Sequence, residues 1–147
     1  MKIGGRAHNI EQAEQIAKMG FPFVEISVID PLKFCKEELE SLKKIKEEYS
    51  VFYLAHGPEE GNAWEPEVLK KELLPKLKSI IDCLQELSIE LFTIHFWMDK
   101  RFIDESVIKD KLLLLKEITA YASDKGITLC IENLSNPGLI FFRFLKK

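Results

Sequence analysis

Short apolar or β-branched segments alternate with longer segments of helical period along this chain, and the beat repeats five times. The apolar segments predict strands at Lys2–Gly4, Phe23–Ile29, Val51–His56, Leu91–His95 and Ile127–Glu132. The middle three show little alternation, as in Val51-Phe52-Tyr53-Leu54-Ala55, which suits strands buried on both faces of a parallel sheet.

Each intervening segment carries one apolar stripe. Ile10, Ala13, Ile16 and Ala17 line the first, with Asn9 as N-cap, Gln12 three residues on and Met19-Gly20 as the stop. Leu39, Leu42, Ile45 and Tyr49 line the second; the Glu/Lys-rich stretch from Lys36 to Glu48 is its solvated face. The third starts at Pro66 and runs through Leu69, Leu73, Leu77, Ile80, Leu84 and Leu87, and Pro75 should kink or split it. Ile108, Leu112, Leu115, Ile118 and Ala122 mark the fourth, widened by Leu113 and Leu114 and stopped at Lys125-Gly126. Strand–helix alternation with short connections means βαβ units, right-handed crossovers and a parallel sheet.

The beat breaks near the end. After Asn136-Pro137-Gly138 comes Leu139-Ile140-Phe141-Phe142-Arg143-Phe144-Leu145, with neither period. The chain therefore divides into an (β/α) domain over 1–136 and an apolar tail over 137–147, expected to bury itself on its own sheet or on another chain.

Composition narrows the picture. The 147 residues suffice for one domain, whereas a closed (β/α)₈ barrel takes about 250. With 21 basic against 24 acidic residues, no positive excess recruits nucleic acid. No apolar run approaches the ~20 residues of a membrane span, and the amino terminus has no apolar secretory core. Cys35, Cys83 and Cys130 are widely spaced and form no CxxC pair, so they read as reduced, partly buried thiols of a cytoplasmic protein.

Three strands end in a chemically capable residue: His56 before Gly57-Pro58, His95 before Phe96-Trp97, and Glu132 before Asn133. Ligands of parallel α/β sheets bind at that C-terminal edge. Two imidazoles and a carboxylate there can ligate Zn²⁺ or Mn²⁺; alternatively Glu132 is a general base and His95 holds a substrate hydroxyl. The blander reading makes each histidine a hydrogen-bonded strand cap. Glu25, inside Phe23-Val24-Glu25-Ile26-Ser27, is a carboxylate in an apolar strand, which calls for a polar cavity or a cation. It is either a substrate contact or the partner of Arg6. Trp64 and Trp97 either wall a sugar-sized pocket or pack, His8 suits a surface turn, and Asn133 and Asn136 offer substrate contacts or ordinary loop polarity.

In order, Gly20-Phe21-Pro22-Phe23-Val24-Glu25-Ile26, Leu54-Ala55-His56-Gly57-Pro58, Thr93-Ile94-His95-Phe96 and Ile131-Glu132-Asn133 resemble the xylose isomerase-like TIM-barrel superfamily, which includes sugar-phosphate isomerases and epimerases and the type IV apurinic endonucleases. The resemblance covers residues 1 to about 136. It implies an α/β fold, an incomplete TIM-like (β/α) barrel of about five parallel strands and four flanking helices. It implies Glu132 as a ligand of a divalent metal and as proton-transfer base, with His56 and His95 as further ligands or substrate contacts. Glu25, Trp97 and Asn133 become candidate substrate contacts. The family's further ligands on strands six to eight have no counterpart here, so an intact centre within one copy is not expected. Five strands cannot close a barrel, and open edges favour a homodimer. The implied activity is metal-assisted proton transfer next to the carbonyl of a sugar or sugar phosphate. The alternatives are a zinc-dependent apurinic endonuclease relative and a non-catalytic dimeric remnant or binding domain.

Overall fold

A computed structural model of the protein describes residues 1–62, 64–99 and 103–132. Five strands form one sheet in the order β1-β2-β3-β4-β5, with every neighbouring pair parallel: β1 (Gly5–Ala7), β2 (Phe23–Ser27), β3 (Phe52–His56), β4 (Leu91–His95) and β5 (Thr128–Glu132). Sequence order equals spatial order, as a chain of βαβ units requires. Helix α1 (Ile10–Lys18) follows β1, α2 (Leu39–Tyr49) follows β2, α3 (Leu74–Glu86) follows β3 and α4 (Glu105–Asp124) follows β4. The expected incomplete α/β barrel is therefore the observed architecture. No helix among the described residues is long and apolar enough to cross a membrane.

Local chemistry explains most boundaries. Asn9 Oδ1 accepts from Gln12 N at 2.9 Å and caps α1, while Gln12 Oε1 accepts from His8 N at 2.8 Å. Gly20 ends the helix at φ +80, open to glycine at no steric cost. The ends of α3 and α4 share one device. Ile89 N reaches Leu84 O and Ile127 N reaches Ala122 O, the six-to-one bond of a Schellman motif. The left-handed residue is Gly126 after α4 but Ser88, at φ 54, after α3. Ser88→Gly is expected to raise the unfolding free energy by about 1 kcal/mol, read as a higher urea midpoint at unchanged slope.

Two expectations about the helices change in detail. Both α2 and α3 are entered through short α turns, Pro31–Lys33 and Pro66–Val68, followed by π-helical stretches at Phe34–Glu38 and Leu69–Leu73. Pro75 lies just past the second π stretch, in the first turn of α3, and the helical run continues through it rather than splitting there. Leu113 does not widen the apolar face of α4; it is 67% exposed.

The first strand sits at Gly5–Ala7 rather than Lys2–Gly4, and so includes Arg6. Pairing with β2 sets this position, through Gly5↔Val24, Arg6↔Glu25 and Ala7↔Ile26. Close approach explains the paired glycines: a Cβ on Gly4 would run into the Phe23 ring, and one on Gly5 would sit 2.9 Å from Ile16.

Burial alternates along β2, β3 and β4. Val24, Ile26, Tyr53, Ala55, Phe92 and Ile94 are buried on the helix side, joining Ile80, Ile81, Leu84, Ile108 and Ile118 in the core. The opposite, inner face is more open, with Phe52 41% and Leu91 40% exposed, so burial on both faces does not hold for these strands. That inner face carries Arg6, Glu25, Ser27, His56, His95 and Glu132 by strand alternation.

The three cysteines are not all reduced thiols. Cys35, in the first π stretch, and Cys83, on α3, form a disulfide with Cα atoms 5.8 Å apart, and Cys130 is free. A separation of 48 residues hid a pairing that helix packing creates. The apolar tail, 137–147, and the domain limit at 136 lie outside the described residues, as do Asn133 and Asn136.

Candidate metal centre

The strand register brings the three strand-end residues together. His95 pairs with Glu132 across β4 and β5, while Ser27 pairs with His56 across β2 and β3. Backbone bonds continue past the strand ends, Val28 N to His56 O and Gly57 N to Thr93 O, both 2.7 Å, and fix the rim on which these side chains stand. His56 Nε2 lies 3.0 Å from His95 Nε2 and 3.2 Å from Glu132 Oε2, and His95 Nε2 lies 2.8 Å from the same oxygen. Three donor atoms from three strands thus face one point.

Proton counting shows what that point suits. His56 Nδ1 lies 3.2 Å from Glu25 Oε1. A neutral imidazole donating Nδ1–H there presents a lone pair at Nε2, aimed at a second imidazole nitrogen and a carboxylate oxygen. A proton on His95 Nε2 would have to be shared between the His56 lone pair and the Glu132 oxygen, whereas a divalent cation takes all three atoms as ligands. Imidazole and carboxylate are the donors Zn²⁺ and Mn²⁺ take. His56, His95 and Glu132 would hold such an ion, and their ligand atoms all lie within 4.8 Å of one another.

Outer contacts orient the imidazoles. Glu25 stands behind His56, and its other oxygen is 4.0 Å from Arg6 Nε, the ion pair foreseen as one of its two readings. A carboxylate behind a ligating histidine raises its basicity and fixes its ring. His95 Nδ1 lies 3.1 Å from Glu59 Oε2 but outside hydrogen-bond geometry, which leaves that buried nitrogen without a hydrogen-bond partner among the described residues. His56 and His95 are largely buried, whereas the Glu132 side chain is 40% exposed, so solvent reaches the triad from the Glu132 side.

Beside the triad lies a buried ionic clamp that the sequence reading missed. Lys111 on α4, fully buried, pairs with Glu60 in the loop after β3. Lys111 Nζ also donates to Trp97 O at 2.5 Å, and Glu60 Oε2 accepts from Trp97 N at 2.7 Å. The ammonium sits 4.9 Å from the centre of the Phe96 ring. Burial pushes the Lys111 ammonium below its ordinary range, against the pull of Glu60. The clamp ties the loop after His56 to the loop after His95. Trp97 meets Trp64 edge to face at 5.1 Å, next to this clamp. His8 is exposed in the turn between β1 and α1, as expected of it.

Residues 13–146 match the family model described as a xylose isomerase-like TIM barrel. The chain belongs to that family. Among curated protein sequences none matches it. Solved structures with the same fold include the D-allulose 3-epimerase of Methylomonas sp., at 17% identity and a TM-score of 0.75, covering 99% of this chain and 59% of that one. The D-psicose 3-epimerase of Clostridium cellulolyticum H10 aligns at 14% identity and a TM-score of 0.72, covering 98% and 59%. An L-ribulose 3-epimerase aligns at 13% identity and a TM-score of 0.76, covering 99% and 57%. This xylose isomerase-like chain thus spans less than two-thirds of the length of those structures, and at these identities the likeness is one of fold.

Proposed function

We propose that this chain carries the metal-binding and proton-transfer portion of a sugar isomerase or epimerase. The observation behind this reading is the convergence of His56 Nε2, His95 Nε2 and Glu132 Oε2 at the C-terminal rim of a xylose isomerase-like sheet. Solved structures of similar fold include sugar 3-epimerases, one of them in complex with D-allulose.

Each residue then has a role. His56, His95 and Glu132 would hold the ion and Glu25 would position His56; in this reading Glu132, partly open to solvent, takes or returns a proton on the carbon beside a carbonyl. A bound divalent ion supplies Lewis-acid polarisation of that carbonyl. Trp97, held at both its backbone N–H and C=O, offers a rigid aromatic edge to the sugar.

Glu132→Gln tests the reading. It is expected to weaken Mn²⁺ or Zn²⁺ binding by about 100-fold, with unfolding little changed, because an amide oxygen is a far poorer ligand than a carboxylate. Glu25→Gln should cost less, about 10-fold, as an outer partner does. Competition titration against a metal-sensing dye reads both. Equal metal affinity in the wild type and Glu132→Gln would remove the triad from the mechanism.

A further inference from the structure

The inner face carries a second polar group that the proposed metal chemistry does not use. Arg6 on β1 stands in register with Glu25 on β2, and its Nε donates to Ser27 Oγ at 3.2 Å. The same hydroxyl lies 3.2 Å from His8 Nδ1. One serine therefore pins two basic side chains from neighbouring positions of the rim. Among the described residues, the Arg6 Nη groups and His8 Nε2 have no hydrogen-bond partner, and the Arg6 side chain is 43% exposed. Glu25 pairs with the guanidinium at the long limit of an ion pair, 4.0 Å from Nε, while its other oxygen faces His56 and the Nη edge keeps its donors.

The field along the rim has a direction. Glu132 belongs to the triad and Glu25 and Glu59 flank its histidines, so carboxylates concentrate at that end of the face. At the other end the positive N-terminus of α1 begins just after His8, beside Arg6. β1 and β3 are two strand spacings apart, about 10 Å, which is the scale of a sugar carrying an anionic group at one terminus.

We infer that Arg6, His8 and Ser27 form an oxyanion subsite that holds the terminal phosphate or carboxylate of the substrate while its carbonyl end lies at the triad. The inference rests on the proposed function for the placement of the carbonyl end, and it narrows the substrate from sugars in general to anionic sugars. Arginine suits the task because its planar fork gives charge-assisted, paired hydrogen bonds to an oxyanion. Ser27 holds that fork by Nε and leaves the Nη edge for the ligand.

Calorimetric titration with D-fructose, D-fructose 6-phosphate and D-glucuronate, with Mn²⁺ present, tests the subsite. At least one of the two anionic probes is expected to bind about 10-fold or more tightly than fructose, and which one does so distinguishes a phosphate from a carboxylate site. In Arg6→Gln that advantage should vanish. Equal binding of all three probes, or an advantage kept in Arg6→Gln, would overturn the inference, as would absence of binding by all three where Mn²⁺ itself binds. Inorganic phosphate titrated into metal-free protein, followed by the ring proton shifts of His8, reads the subsite without the metal. A saturable shift lost in Arg6→Gln supports it even where Mn²⁺ fails to bind, an outcome that would count against the proposed function alone. No shift in the wild type counts against the subsite.

Discussion

Lys111→Met is expected to lower the unfolding free energy by about 3–5 kcal/mol, the usual consequence of leaving one member of a buried ion pair without its partner. The stranded charge would be Glu60, 8% exposed, which would keep only the Trp97 N–H among the clamp contacts described above. The double variant Lys111→Met/Glu60→Gln should recover most of the loss, because it removes both charges and leaves an amide oxygen to accept from Trp97. Urea unfolding of wild type, single and double variants measures this directly. A single variant within about 1 kcal/mol of wild type would show that water or a rearranged side chain replaces the lysine. The clamp also bears on the site, since Glu60 adjoins Glu59, which faces His95 Nδ1. Loosening the loops after β3 and β4 should lower metal affinity in the single variant as well as its stability.

How much of this was legible in the chain depends on where each signal resides. β4 was legible to the residue, and β2, β3 and β5 to within two, because their apolar runs are bounded by polar or glycine-containing turns. β1 was misplaced by three residues: it is a short edge strand of Gly-Arg-Ala, without an apolar run, and its register comes from β2. His56, His95 and Glu132 could be grouped because a parallel sheet sends every strand end to one rim. Their outer contacts could not be assigned, since Glu59 belongs to a loop whose path tertiary packing decides. Lys111 did leave a trace. Ile108, Lys111, Leu115, Ile118 and Ala122 fall at spacings of three and four, so the lysine occupies a place on the apolar stripe of α4 and requires a buried anion. Nothing comparable marked the π stretches, which differ from α-helix only in the hydrogen-bond partner chosen by each N–H.

Breaking the Cys35–Cys83 bridge is expected to cost nearly as much as breaking the clamp. The bridge closes a loop of sequence separation 48, for which the chain-entropy treatment gives about 4 kcal/mol and measured bridges commonly give 2–4 kcal/mol. It joins the π stretch leading into α2 to α3, two elements already in contact, so the native geometry is held with or without the covalent link. The loss should therefore appear as a lower urea midpoint with the folded-state spectrum retained, both in Cys35→Ser/Cys83→Ser and in wild type treated with reductant. Thiol titration of the denatured protein checks the premise: one reactive cysteine, Cys130, before reduction and three after. Three reactive thiols without reductant would mean that the two helices meet without a bond. Glutathione pools reduce accessible bridges in a cytosol, so the reduced midpoint is the stability the chain would have there. A metal titration of the reduced protein then separates the two halves of the design. The triad sits on strand ends whose register depends on backbone pairing rather than on the bridge, and its metal affinity should survive reduction within about twofold.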